Sequence, residues 1–600
     1  MDKIVILDFG GQYAHLIANR VRRLGVYTEI KDGDVSVDEL RDYKGVILSG
    51  GPASVHAADS FQCDTRVFDL GVPVLGICYG HQLIAHQLGG QVDKGKVREY
   101  GHANINFTER KGIFENLEEN EDVWMSHFDQ VVKLPLGFKV VGATEDCPVA
   151  AMVNTERSIF GIQFHPEVTH TPCGMKLLES FVEITGAKRE WDIDKYIENI
   201  TAEIKEKVGD KKVFMMISGG VDSTVAFMLF DKALGEGRVY GMMVDTGMMR
   251  LNEAAEVRVA LNEIGITNLQ IYDGSREYFE ALKDVYEPEE KRKIIGNLFL
   301  DIQAKVSDDL GLNPDDWFLG QGTIYPDTIE TGGTKHAHTI KTHHNQVERV
   351  IKMKEAGKVL EPLDQLYKDE VRLVGERLGL PAKMVWRHPF PGPGLGVRIL
   401  CGQGEDWPDD VAGLEARMAE IVGEFGLKAK VLPIKSVGVQ GDERTYRHPA
   451  VLYGERISWD DLNILSTRLT NRLPEINRVV YSLLPSEIDD LSSQKCCVDF
   501  DRVLITQKAD KVVMDYIYEA GLDREIWQFP TVLVPVGVGV AGTESIVLRP
   551  VESTEAMTAN FYHMDWDKVD ELVARLKKVE GVSGIFYDLT NKPPGTIEWE

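Results

Sequence analysis

The six residues Ser218-Gly219-Gly220-Val221-Asp222-Ser223 constrain this chain more than any other stretch, because of what flanks them. The apolar run Val213 to Ile217 before them reads as a buried strand, and Thr224 to Leu234 after them as a helix. Two adjacent glycines let the main chain turn tightly, so that N–H groups and the hydroxyls of Ser218 and Ser223 face one small volume at a helix N-terminus. That volume suits phosphate oxygens. No Lys precedes the final Ser, so the loop departs from the usual γ-phosphate cradle. Lacking it, the loop is suited to holding a departing pyrophosphate while an adenylyl group is transferred. The plain alternative, a ligand-free Gly-rich β–α turn, accounts for an isolated SGG but poorly for the whole strand–loop–helix unit.

The loop resembles that of the ATP pyrophosphatases, the adenylating enzymes of the N-type family. The resemblance implies that Ser218, Gly219, Gly220, Val221, Asp222 and Ser223 bind ATP. Bulk properties narrow the remaining classes. A chain of 600 residues, 43% of them hydrophobic, can bury several cores and suggests three or four domains. A formal charge of -28 argues against nucleic acid as partner, because neutralising phosphates takes clustered Lys and Arg. Seven scattered cysteines without a C-x-x-C pair support neither a zinc site nor a disulfide framework, and the adjacent Cys496 and Cys497 are poorly placed to bridge one another. Met1 to Asp8 reads as a strand and lacks a signal peptide's charged start and long apolar core. No apolar stretch approaches membrane-spanning length. The expectation is a cytoplasmic enzyme with no membrane partner.

From Met1 to about Gly186 short apolar strands alternate with amphipathic helices, the pattern of an α/β layer fold. Gly45 to Leu48 and Val72 to Ile77 read as buried strands, and the second runs into Gly76-Ile77-Cys78-Tyr79-Gly80-His81-Gln82 and a helix over Leu83 to Leu88. Small residues around Cys78 permit the strained turn that exposes a nucleophile, and a helix N-terminus beneath a thiol favours the thiolate. A buried cysteine in a β–α turn is the bland reading. Phe164-His165-Pro166-Glu167, after the strand-like run Ile159 to Phe164, weighs against it. There a fixed bend sets an imidazole beside a carboxylate that can hold it. With Ser49-Gly50-Gly51-Pro52, these residues resemble a class I glutamine amidotransferase domain. The resemblance makes Cys78 the nucleophile, His165 the base and Glu167 its orienter, with Gly51 and Tyr79 supplying the oxyanion-hole N–H groups.

Gly186 to Tyr196 is polar and reads as a linker. Beyond it, Val239 to Asp245, a helix over Glu253 to Ile264, Leu269 to Tyr272 and Trp317 to Gly320 continue the α/β pattern. Asp245 ends a strand at the edge where open α/β sheets bind ligands; nucleoside contact and a helix cap both suit it. An amidotransferase joined to a pyrophosphatase loop implies that one half makes ammonia while the other activates an acceptor oxygen as an adenylate. Carboxylates and ring carbonyls both remain open as acceptors on this logic.

The acceptor comes from resemblance. The blocks Glu290 to Gly296, Gln321 to Asp327, Ile340 to Asn345, Arg387 to Gly396 and Lys592 to Glu600 look like the GMP synthetase family, in the family's order, over essentially the whole chain. This implies XMP as acceptor, with Arg292, Asp442, Gln528, Lys592 and Glu598 as its contacts, Lys341 stabilising phosphate charge, and Mg2+ accompanying ATP. Surface salt bridging is the alternative for any one of the XMP set. Gly392-x-Gly394-x-Gly396 reads as a rigid turn rather than a dinucleotide fingerprint. His336, His338, His343 and His344 resemble a segment of the family near ATP rather than a metal site.

The last third carries an internal repeat. Val431 to Gly441 parallels Val532 to Gly542, and each copy is followed by Trp-Asp, an amphipathic helix and a strand; Val569, Leu572, Val573 and Leu576 mark the second helix's buried face. The fold expectation is therefore α/β: an amidotransferase domain over 1–188, an ATP pyrophosphatase domain over 189–400, and two α+β modules over 401–500 and 501–600. The duplication resembles a longer, eukaryotic-type form of the family, in which two copies pair as a monomeric pseudo-dimer instead of a homodimer. Three competitors remain: an adenylating amidotransferase with a non-purine acceptor, a tRNA-modifying enzyme, and a nucleotide sensor. The KPPGTIEWE tail, the absence of a basic surface and the intact Cys78 set weigh against them in turn.

Overall fold

Lys3–Asp8 opens a parallel ladder, lying between Tyr27–Asp32 and Gly45–Leu48; Val74–Ile77 and Ile159–Ile162 continue it in the same direction. Gly45–Leu48, Val74–Ile77 and Ile159–Ile162 are buried at every position, as strands covered on both faces must be. Four antiparallel strands extend this sheet to nine: Ala151–Asn154, Lys139–Ala143, Gln91–Phe107 and Asn120–Lys133. The computed structural model describes residues 1–600 except 12, 53, 58, 59, 169, 313, 314, 329–352, 354, 355, 441, 442, 541 and 554–558. Lys341, Asp442 and the histidines at 336, 338, 343 and 344 lie outside the described residues.

The chain forms two compact units. One holds residues 1–202 with 323–328 and 363–374; the other holds 203–322, 353, 356–362 and 375–600. In the first, two short segments distant in sequence join the amidotransferase-like sheet around Arg22. Its guanidinium is enclosed by the rings of Tyr27, Trp191, Tyr325 and Tyr367, at 4.7 to 5.4 Å from their centroids, and pairs with Glu370 at 3.3 Å. A cation so enclosed needs both the ring faces and a counter-charge to offset its lost hydration. The stretch read as a linker is only partly irregular, because the helix Ile193–Val208 begins inside it.

The second unit begins with a five-stranded parallel sheet, in the order Leu269–Asp273, Val239–Asp245, Lys212–Ile217, Trp317–Gly320, Val359–Leu360. Lys212–Ile217 is central, so the loop at 218–223 leaves the middle of the sheet. The same unit contains a further sheet ordered Lys428–Val431, Glu443–Tyr453, Ile476–Leu484, Val582–Asp588, Glu544–Leu548, Thr531–Val534, with Ser436–Gln440 paired to Glu443–Tyr453. Its two halves mirror each other. In each, the outer strand is antiparallel to the next, which is parallel to the inner one, and the inner strands meet antiparallel with Tyr481 opposite Tyr587.

The helix before each inner strand is set by its own sequence. Ser458 caps Trp459–Arg472 through the N–H of Asp461, and Asp565 caps Trp566–Leu576 through that of Asp567. Leu462, Leu465 and Leu469 on one helix, and Val569, Leu572, Val573 and Leu576 on the other, form the buried faces. The first residues of the two helices, Trp459 and Trp566, stack with centroids 4.1 Å apart and planes 9° apart. No helix among the described residues is long and apolar enough to cross a membrane.

Candidate active site

Ile77 and Ile162 are ladder partners at the ends of neighbouring parallel strands, so the residues just past each are brought to one edge. Cys78 succeeds the first at φ +51, a left-handed conformation costly for a side-chain-bearing residue, as the N-cap of the helix Tyr79–Gln87. The turn is locked by Cys78 N–H to Ile162 O at 2.8 Å and Gly80 N–H to Ser49 O at 3.0 Å. Gly80 is required there, since a Cβ would stand 2.3 Å from Leu48 O.

His165 lies beyond the second strand. Its Nδ1 lies 2.7 Å from Glu167 Oε1, and both side chains are almost wholly buried. Its N–H is held by Trp124 O and its carbonyl by the Thr171 hydroxyl. Burial by itself lowers the His165 imidazolium, but Glu167 and the Cys78 sulfur outweigh it and raise the group well above the ordinary histidine value. Gly50 and Gly51 give the site its room. A Cβ on Gly50 would be 3.3 Å from His165 Cε1, and one on Gly51 would be 2.8 Å from Phe9 O and 3.2 Å from the Tyr79 ring. Thus Cys78, His165, Glu167, Gly51 and Tyr79 are brought together, a thiol beside a base.

Two neighbouring histidines have other states. His81 is fully enclosed, bonded through Nε2 to Val149 O, and burial pushes it down to about 3, so it stays neutral. His127, Glu99 and Cys147 converge as metal ligands do. Yet His127 bonds Asp129 O and Glu99 Oε2, and Thr144 donates to Glu99 Oε1, so the cluster is satisfied without an ion. Burial pushes the Cys147 thiol up to about 12.

In the second unit the loop takes the shape its sequence implies. Gly219 has φ +79, and a Cβ there would stand 2.7 Å from Met243 Cε. The Ser218 and Ser223 hydroxyls are 3.1 Å apart, Gly220 N–H donates to Ser218 Oγ, and the helix Val221–Leu234 starts directly behind. Asp245 caps its own turn through the Gly247 N–H. Gly394, at φ +67, packs where a Cβ would be 2.5 Å from Met248 O, consistent with a rigid turn.

Buried and partly buried charges lie in series from Glu253 to the tail. Glu253 accepts from Arg387 at 2.8 Å; Arg250 pairs with Asp510 at 3.3 Å and lies over Phe390, which Arg398 also faces. Arg398 in turn forks onto Glu598 at 3.0 and 3.1 Å. Of the XMP candidates, Arg292 meets the Glu600 carbonyl while its buried Nε has no partner among the described residues, and Gln528 donates to Pro389 O. Lys592 pairs through its main chain with Ala559. Arg250, Arg398 and Asp510 are lone charged residues in the sequence and carry no spacing signal.

Beneath the tail, Asp588 accepts from Arg478 and Arg549 at 2.9 and 2.8 Å and from the Trp599 indole at 2.8 Å, with all three charged groups fully buried. The same arginines also hold the carbonyls of Thr596, Ile597 and Glu598. The tail is therefore clamped by side chains from both halves of the mirrored sheet.

Three family models match separate stretches of the chain. The family described as Glutamine amidotransferase class-I matches residues 5–184, NAD synthase matches 193–306, and GMP synthase C terminal domain matches 515–599. A probable glutamine-hydrolyzing GMP synthase of Leptospira interrogans is 48% identical over 603 residues, covering 100% of this chain and 99% of its own. That of Syntrophomonas wolfei is 39% identical over 609 residues with the same coverage. A relative from Neisseria meningitidis is 44% identical over 517 residues, 80% of this chain and 97% of its own. Both of these whole-length relatives are bacterial, so the longer form is not a eukaryotic mark. With a bacterial relative 48% identical from end to end, the chain belongs to the glutamine-hydrolysing GMP synthase family.

Proposed function

We propose that this chain converts XMP, ATP, glutamine and water to GMP, AMP, diphosphate and glutamate. The observation that carries the reading is the Cys78–His165–Glu167 constellation and the 218–223 loop in one chain whose residues 515–599 match the GMP synthase C-terminal family. His165 takes the Cys78 proton and the sulfur attacks the side-chain carbonyl carbon of glutamine. Gly51 and Tyr79 N–H groups hold the resulting oxyanion, and His165 returns the proton to the departing ammonia. Water then clears the thioester as glutamate.

In the other half an XMP oxygen attacks the α-phosphorus of ATP. Diphosphate leaves into the donors of Ser218, Gly219, Gly220, Val221 and Ser223, and ammonia displaces AMP from the adenyl-XMP. Lys341 steadies phosphate charge, and Asp245 faces the nucleoside. Arg292 and Lys592 take the XMP phosphate; Asp442, Gln528 and Glu598 take its ribose and base. Hard oxygen donors suit Mg2+, and the Asp222 carboxylate, with Oδ1 buried at the loop, fits that preference. When bound, the ion neutralises triphosphate and leaving-group charge.

The mirrored sheet and the Trp459–Trp566 stack support an internal pseudo-dimer acting as a monomer, and a sedimentation mass near twice 67.2 kDa counts against it. Seven free cysteines suit the cytoplasm. Idle glutamine hydrolysis wastes substrate, so the Cys78 site is weak until ATP and XMP bind; glutaminase rates indifferent to both refute this.

The test is GMP formation from XMP and ATP, with glutamine or ammonium, in wild type and Cys78→Ala. The variant is expected to lose only the glutamine-driven reaction. Glutamate release without any GMP from wild type overturns the acceptor.

A further inference from the structure

Cys78 has a neighbour that the triad leaves unexplained. Gln163 lies just past the strand Ile159–Ile162, two residues before His165, with its side chain wholly buried. Its Nε2 donates to Cys78 Sγ at 3.6 Å. Which end of this amide meets the sulfur is fixed by a chain of acceptors. The Asp129 carbonyl can only accept, so the Gln82 group 2.7 Å from it is the –NH2. That same nitrogen is 3.2 Å from one end of Gln163, which is therefore the oxygen. The Gln163 –NH2 is left aimed at sulfur, and His127 Nδ1 on the same Asp129 carbonyl steadies the anchor.

On another side the sulfur meets the Ser126 carbonyl at 3.7 Å. A carbonyl oxygen accepts from a thiol and repels a thiolate, whereas an amide N–H gains most when its acceptor is ionised. The two contacts therefore favour opposite protonation states of one atom. An amide donor enclosed beside a neutral thiol has only a weak acceptor, and weakly satisfied buried donors are costly. Beside a thiolate the same donor is well paired.

We propose that Gln163 is a fourth catalytic residue of the amidotransferase site: its carboxamide, aimed by Gln82, stabilises the Cys78 thiolate against the pull of the Ser126 carbonyl. The proton leaves Cys78 for His165, and the Gln163 N–H stays bonded to sulfur until the carbon–sulfur bond forms. Gln82 acts here as a positioning residue. This inference rests on Cys78 being the nucleophile.

The experiment is alkylation of Cys78 by iodoacetamide in the full chain, followed on the Cys78 peptide by mass spectrometry across pH. Gln163→Leu is expected to react about tenfold more slowly at neutral pH and to regain the wild-type rate in alkaline buffer, where ionisation needs no help. Gln163→Glu, which faces sulfur with a charge, is expected to be slower still. Glutamine-driven kcat/KM should fall with them while ammonium-driven synthesis is unchanged. Superposed profiles for wild type and Gln163→Leu overturn the role, as does a variant that stays slow in alkali. If Gln163→Leu loses ammonium-driven synthesis through misfolding, Gln163→Met, of equal length and without a donor, is read by the same criteria. Glutamine-driven synthesis surviving in Cys78→Ala overturns the nucleophile itself, a result distinct from superposed profiles.

Discussion

At the Cys78 site the acting residues come from the ends of two neighbouring parallel strands, and one ladder pair, Ile77 with Ile162, sets them face to face. The charged set of the second unit draws instead on Arg250 and Glu253, on residues 387–398, on Asp510 and on the tail, which buried and partly buried charges connect. Sheet register assembles the first; ion pairing assembles the second. A strand-end site is held by main-chain bonds that most substitutions leave alone. A charge-linked site can be undone at any link, because removing one partner strands the other in a low-dielectric interior.

The largest expected effect separates the regions most sharply. Glu167→Gln keeps the shape of the bend and removes the charge that raises His165, so glutamine-driven synthesis should fall about 10³- to 10⁴-fold by analogy with other acid–base–nucleophile sites. Ammonium-driven synthesis should be untouched; an equal fall in both rates would mean the two regions are not separable. Asp588→Asn attacks the other side. Two buried guanidinium groups lose their shared counter-charge, and a cost of about 3–5 kcal/mol is expected in urea unfolding, with both nitrogen sources losing GMP. Stability within error of wild type would show that the carbonyls hold the tail unaided.

Gly219→Ala is a smaller test. A left-handed conformation and the contact with Met243 together should cost about 1–2 kcal/mol and slow both reactions about tenfold by weakening ATP binding; isothermal titration with ATP checks it. The smallest effect is acid lability from His81. Its folded value of about 3 lies below its unfolded 6.5, so its contribution is full above 6.5 and lost as pH falls toward 3. Between neutrality and roughly pH 5.5 the loss is about 1 kcal/mol. His81→Gln, which keeps a donor for Val149 O, should flatten that part of the urea-midpoint profile, and an unchanged slope would show that other groups set it.

The same contrast explains what could be read in advance. Cys78, His165 and Glu167 announce themselves because a strained strand-to-helix turn and a Pro bend each need particular neighbours in sequence. The 218–223 loop is legible for the same reason. Strand ends shift by a residue or two, as where the run Ile159 to Phe164 forms a strand only over Ile159–Ile162. Arg398, Asp588 and the Arg22 enclosure leave no local trace, since their partners lie far away in the chain. Nothing around Arg22 indicates that Tyr325 and Tyr367 will close over it.

The mirrored sheet also changes what can be asked of this protein. Where two identical subunits pair, every substitution is made twice, and dilution dissolves the pair along with whatever it supports. Here the inner strands Ile476–Leu484 and Val582–Asp588 belong to one polypeptide, so their encounter has an effective concentration set by the chain and not by the test tube. Each half can be altered alone. Trp459 can be exchanged while Trp566 is kept, and the reverse, which lets the contribution of each half be weighed separately.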